Sequence, residues 1–323
     1  MRHSAVLVVL LFLFCSVFSE ESLRICRFKD GKRAALSLTF DDGTRDHLLC
    51  ALPLLERYGF KGTFYIIIRR VPERVNDPSS PTGYVTWDEL RRFVDAGHEI
   101  GNHSLSHRRP LTRETDRETV RREINAPIPV FRKKLGIDVE TFCYPGCSSS
   151  PEIEAVVLEH HLGASFWRYP CGGPSFSIRN WSDFLDRILA RGEDAAAMIH
   201  SIVPEAKGWM PFASLEQFDQ FLREAKRREP ELWVDTYSAV LQYRILRDNS
   251  VLKILSDTDQ EITGVLESRT STRIRTPLTL EYTGGNLESV EQNGKRLPVR
   301  RKGNADLFDV HSGTFHLRKR PSR

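Results

Sequence analysis

The stretch Ala34-Ala35-Leu36-Ser37-Leu38-Thr39-Phe40-Asp41-Asp42-Gly43, "AALSLTFDDG", is a mostly apolar run that ends in two adjacent carboxylates and a glycine. A short apolar run bounded in this way reads as a strand buried on both faces, the kind found in parallel sheets. Two like charges at the end of such a strand repel each other. A bound cation would neutralise one carboxylate and leave the other free as a base.

Outward from this stretch, short apolar runs alternate with helical patterns. Strands are expected at 34–40, 62–68, 99–100, 139–144, 164–167 and 195–199. Helices are expected at 46–58, 87–96, 112–135, 151–161, 182–190 and 214–228, the last with Ser214 and Gln217 at capping-box spacing. This alternation predicts an α/β fold, a barrel related to the (β/α)8 type with its helices outside.

After about residue 250 the character changes. "IRTPLTLEY" alternates apolar and polar positions, with Pro277 arguing for an edge strand. Asn293-Gly294 marks a hairpin turn, and 307–310 and 314–317 read as further strands. These define a small all-β, sandwich-like appendage at 249–323.

Arg2 and His3 precede an apolar run, and small residues lead to Glu20-Glu21. Residues 1–19 therefore read as a signal peptide, and the mature chain is expected to be secreted or periplasmic. Later stretches predict no membrane insertion once that segment is removed. Lys and Arg total 47 against 43 Asp and Glu, a net charge of +4 mixed along the chain, which argues against nucleic acid as a partner. One of the six cysteines, Cys15, lies in the leader, and the other five lack zinc-knuckle spacing.

The second stretch is Gly101-Asn102-His103-Ser104-Leu105-Ser106-His107. Two histidines at i, i+4 share one face if the segment is helical, close enough for one metal ion. Like Asp41-Asp42, they follow the C-terminal end of a strand, and in a parallel barrel all such ends lie on one face. Asp42, His103 and His107 would then form a two-nitrogen, one-oxygen site open to water and substrate. A third strand, "AAAMIHS", ends at His200.

"LTFDDG", "HEIGNHSLSH" and "MIHS", in that order, resemble the signature segments of the NodB-like polysaccharide deacetylases of carbohydrate esterase family 4. The resemblance implies a distorted (β/α) barrel and metal-dependent removal of acetyl groups from the N-acetylated sugars of a glycan by a domain at 20–248. It makes Asp41 the general base, His200 the general acid, and Asp42, His103 and His107 the ligands of a divalent ion. Zinc is expected first, with cobalt or nickel possible. "TFCYPGCSS" resembles a segment that in the family reads Arg-x-Pro-Tyr-Gly. Cys143 stands in place of the arginine that pairs with the base, so Asp41 must be oriented by another group. Gly146 stands in place of the tyrosine whose backbone N–H helps hold the oxyanion. Tyr144 and Gly146 are placed at the substrate, and Trp167 and Trp181 are candidates for a sugar-stacking wall. An O-acetyl esterase using the same groups, or a non-catalytic carbohydrate-binding protein, are the alternatives.

Overall fold

The structure, a computed structural model, describes residues 22–75, 83–109, 111–112, 114–165, 168–270, 274 and 276–321. The expected signal peptide at 1–19 lies outside the described residues. Two strands open the described chain, β1 (Leu23–Ile25) and β2 (Ala34–Phe40), and they join different sheets. β2 is buried at all seven positions, as its apolar run requires.

Around β2 stand β3 (Gly62–Ile66), β4 (Glu99–Asn102), β5 (Thr141–Cys143), β6 (Gly163–Ser165), β7 (Tyr169–Pro170), β8 (Asp194–Ile199) and β9 (Leu232–Val234). All pairs are parallel, in the order β6-β5-β4-β3-β2-β8-β7, with β9 on the lower half of β2. β6 and β7 are the two ends of this sheet, yet only residues 166–168 separate them. Four Cα steps reach at most about 14 Å. The sheet must therefore curl until its edges nearly meet, which gives the distorted (β/α) barrel.

The described residues also form eight α-helices: α1 (Leu52–Tyr58), α2 (Trp87–Asp95), α3 (Arg117–Asn125), α4 (Pro127–Leu135), α5 (Pro151–Leu158), α6 (Ile178–Arg191), α7 (Leu215–Arg227) and α8 (Tyr237–Asp248). The pattern expected as one helix at 112–135 divides at Pro127, which lacks the N–H that would continue α3 and instead starts α4. In α7, Phe218, Phe221, Leu222 and Ala225 recur at helical spacing and are buried against the barrel. Ser214 caps this helix by accepting from the Gln217 N–H at 3.2 Å. Trp181 of α6 belongs to the same core: it is fully buried and donates from Nε1 to the Phe221 carbonyl at 3.0 Å. It is not the sugar-stacking surface expected from the sequence.

The C-terminal strands are β10 (Ser250–Asp257), β11 (Glu261–Ser268), β12 (Leu278–Tyr282), β13 (Leu287–Gln292), β14 (Lys295–Leu297), β15 (Arg300–Lys302), β16 (Ala305–Val310) and β17 (Gly313–Lys319). They form two antiparallel sheets, β1-β12-β16-β15 and β10-β11-β17-β13-β14. Asn293 and Gly294 both take positive φ between β13 and β14, the backbone a tight hairpin demands. Pro277 does not mark an edge strand. It precedes β12, which is held on one side by β1 and on the other by β16, so the missing N–H lies outside the ladder. Leu278, Leu280, Phe308 and Phe315 share one core with Leu23 of β1, Trp233 of β9 and Val240 and Tyr243 of α8. The β-sheets are thus packed onto the barrel through apolar contacts at both ends of the chain.

Candidate active site

Asp41 and Asp42 stand where β2 ends, and the backbone between them turns sharply. Asp42 and Gly43 both take positive φ, 73° and 75°. That turn sends the two side chains apart: Asp41 is buried against the barrel interior, while Asp42 faces the histidines. The opening repulsion is relieved by geometry as well as by charge.

His103 and His107 do not lie on a helix. They sit in a loop after β4 in which Ser104 and His107 take φ of 70° and 60°, and side chains close the turns. The Ser104 N–H donates to Asn102 Oδ1 and the His107 N–H to Ser104 Oγ, each at 2.9 Å. Glu123 of α3 accepts from both the N–H and the hydroxyl of Ser106. Three non-glycine residues in the left-handed region at one site is backbone strain of the kind held at functional centres. The loop nevertheless brings the two imidazoles together, 4.8 Å between ring centres.

His103 Nε2 lies 3.7 Å and His107 Nε2 3.5 Å from Asp42 Oδ1. That oxygen is buried and has no hydrogen-bond partner among the described residues. His103 Nδ1 is 2.9 Å from the Cys143 carbonyl, which can only accept. The proton is therefore on Nδ1, and the Nε2 lone pair points at Asp42. An orphaned carboxylate oxygen facing two imidazole nitrogens fits a divalent cation, and three protein ligands leave room for substrate. A second grouping, Asp41, His103 and Cys143, fits poorly. Burial pushes the Cys143 thiol well up, and Asp41 is already paired with Arg168.

The partner of Asp41 is Arg168. Its Nη1 donates to Asp41 Oδ1 at 2.6 Å and to Thr39 Oγ1 at 3.2 Å, and both charged side chains are only 2% exposed. Burial by itself would raise the Asp41 carboxyl, but Arg168, with His103 and His200 nearby, outweighs it and holds the group far below the usual carboxylate range. The Cys143 thiol lies 3.8 Å from Asp41 Oδ2 and supplies only a weak contact. Arg168 comes from the short crossing between β6 and β7, so it reaches the base from the seam of the barrel. The sequence reading passed over it for the neighbouring Trp167, which lies outside the described residues.

His200 follows β8, with Nε2 3.7 Å from Asp41 Oδ2. Burial lowers its pKa, and Asp41 and Asp42 only partly offset this. Its carbonyl accepts from Thr44 Oγ1 at 3.2 Å and contacts His47 Nε2 at 2.6 Å, and Asp46 accepts from Ser201 Oγ and the Ile202 N–H just beyond it. The residues directly after "DDG" therefore brace the histidine loop, a function the sequence reading did not give them.

One cavity of about 450 Å³ joins Asp41, Asp42, His103, His107, Arg168 and His200. Tyr144 and Gly146 also line it, Tyr144 largely buried and Gly146 with φ of 66°. The exposed aromatic in the wall is Trp209, whose ring meets His200 edge-on at 4.4 Å. It was not singled out from the sequence. A loop tryptophan ten residues past a strand end carries no periodic signal.

Residues 28–165 match the polysaccharide deacetylase family. A gellan lyase from Bacillus sp. is 24% identical over 297 residues, 80% of this chain and 11% of that protein. A Bacillus subtilis (strain 168) protein, YxkH, provisionally named a polysaccharide deacetylase, is 26% identical over 88 residues, 27% of this chain and 29% of that protein. The chain thus spans well under half the length of these two relatives. Among solved structures, a provisionally named polysaccharide deacetylase from Mycobacterium smegmatis shares the fold, with a TM-score of 0.51 at 16% identity over 67% of this chain and 91% of that one. The match to the polysaccharide deacetylase family thus lies within residues 28–165, on a fold that agrees with it.

Proposed function

We propose that the chain is a metal-dependent hydrolase that removes acetyl groups from a glycan, with N-acetylated sugars as its substrate and zinc as its ion. One observation carries this reading: a buried carboxylate oxygen without a hydrogen-bond partner faces two imidazole nitrogens, with an arginine-held carboxylate and a third histidine in the same cavity.

Asp42, His103 and His107 would hold the ion, which supplies Lewis acidity toward an acetyl carbonyl. Asp41, kept ionised and oriented by Arg168, takes the proton of the attacking water. Gly146 lines the cavity, and its backbone N–H would donate to the oxygen that gains charge. His200 hands a proton to the leaving amine, and burial makes its protonated form a readier donor than an ordinary histidine. Trp209 offers an exposed ring at the rim for a sugar face. The apolar leader at 1–19 supports action outside the cytoplasm, which N-terminal sequencing of exported material tests.

The test is acetate release from N-acetylated and O-acetylated oligosaccharides by purified protein, with zinc and after chelation. Release from the N-acetylated set that is lost on chelation and restored by zinc is expected. A folded, zinc-loaded protein that frees acetate from neither set would end the proposal. Release from esters alone would reassign it to O-deacetylation.

A further inference from the structure

We propose that the glycan carries a carboxylate close to the acetyl group being removed, and that Arg109 and Arg70 bind it. This rests on the deacetylase reading and names the substrate class for it: acidic rather than neutral glycans.

The cavity wall holds three guanidinium groups, Arg70, Arg109 and Arg168, and two carboxylates, Asp41 and Asp42. Asp41 is matched by Arg168, and Asp42 faces the imidazoles. Arg70 shares Asp42 with the imidazoles, and Arg109 is left in excess. Arg109 is exposed and has no ion-pair partner among the described residues. Its stem crosses Gly146: a Cβ at 146 would stand 2.6 Å from Arg109 Cδ. Glycine at this position therefore leaves the space in which the Arg109 stem lies.

Arg70 is aimed by Tyr84. Its Nη1 donates to the Tyr84 hydroxyl at 3.0 Å and its guanidinium lies over the ring at 5.3 Å. The same Nη1 is 3.6 Å from Asp42 Oδ1. Once a dication is held by Asp42, that carboxylate is shared and Arg70 stands beside a like charge. An anion from the substrate, placed between Arg70 and Arg109, removes the repulsion and occupies two planar donor groups suited to a carboxylate. A neutral sugar in the same place would displace water from both cations and return only neutral hydrogen bonds, which are weaker than those to a carboxylate.

The experiment compares two tetrasaccharides with zinc-loaded protein. One is neutral tetra-N-acetylchitotetraose. The other alternates glucuronate with N-acetylglucosamine. Acetate release gives kcat/KM for each, and calorimetry gives the affinity for each, so the answer does not depend on turnover. The acidic sugar is expected to bind more tightly and to react with the higher kcat/KM, with the margin shrinking as salt is raised. Arg109→Gln should weaken the acidic sugar roughly 10- to 100-fold, mostly in KM, and more than the neutral one. Arg109→Lys should keep part of the preference. Acetate release that favours the neutral sugar, or equal losses on both in Arg109→Gln, overturns this proposal while leaving the deacetylase reading in place. Absence of acetate from both sugars defeats the N-deacetylase reading instead. In that case calorimetry decides: no measurable preference for the acidic sugar overturns the present proposal too.

Discussion

Replacing Arg168 by methionine tests the site where its chemistry and its stability meet. The Arg168–Asp41 pair is 2.6 Å long and both side chains are 2% exposed, so the variant leaves a carboxylate buried without its counter-charge. Breaking a buried pair from one side costs about 3–5 kcal/mol, a large part of the roughly 5–15 kcal/mol that holds a domain folded. Burial is already the largest single influence on Asp41; without Arg168 only His103 and His200 oppose it, and the pKa is expected to rise. The pH dependence follows. In the parent the depressed Asp41 stabilises the fold at every pH above the unfolded carboxylate value, and that contribution is lost only as the pH falls toward the folded one. In the variant, Asp41 takes up a proton on folding, so stability improves as the pH drops from neutral. The gap between parent and variant should be widest near neutrality and narrow toward acid. Urea unfolding across that range measures it, with acetate release alongside, which should fall on the order of 10²–10⁴ as the base is neutralised. The double variant Arg168→Met/Asp41→Asn removes both charges and should recover most of the lost stability. Additive losses in that cycle, or an Arg168→Met gap that does not change with pH, would show that the pair does not act as described.

Three further outcomes follow from the geometry. Asp42→Ala should lose metal severely and activity with it, whereas Asp41→Asn should hold metal nearly as well as the parent and stay inactive at any metal concentration; metal titration with acetate release separates them, and equal metal loss from both would contradict the division of labour. Trp209→Ala should fold normally, because the ring is exposed, and raise KM for an oligosaccharide about two- to tenfold; an unchanged KM would remove Trp209 from the substrate wall. Gly101→Ala should destabilise the barrel by about 1–3 kcal/mol, since the new Cβ would stand 2.5 Å from the Tyr65 ring just before the histidine loop; an unshifted Tm would refute that close packing.

Much of the site could be read from the chain because its parts are local. Asp41, Asp42, His103 and His200 each stand directly after or near the end of an apolar strand, and the parallel arrangement puts such ends on one face. His107 was found by spacing, although the reason differed: the loop after β4 is closed by Asn102, Ser104 and Glu123 and not by helical turns. Side-chain-to-backbone bonds can set the same separation as a helix, and the spacing alone does not distinguish them.

The sequence by itself determined the α/β alternation, the strand-end carboxylates and histidines, and the β character of the C-terminal part, because these rest on periodicity and turn chemistry within a few residues. Tertiary structure alone decided the rest. β1, from near the start of the chain, pairs with β12 some 250 residues later, and no local pattern announces a partner that distant. Trp181 and Trp209 look alike in sequence, but one is enclosed between α6 and α7 and the other faces the cavity. Cys143 left Asp41 without the expected arginine. Arg168 supplies it only because the barrel curls until β6 and β7 nearly meet, carrying a residue from its seam to within hydrogen-bonding distance of a carboxylate 127 positions earlier in the chain.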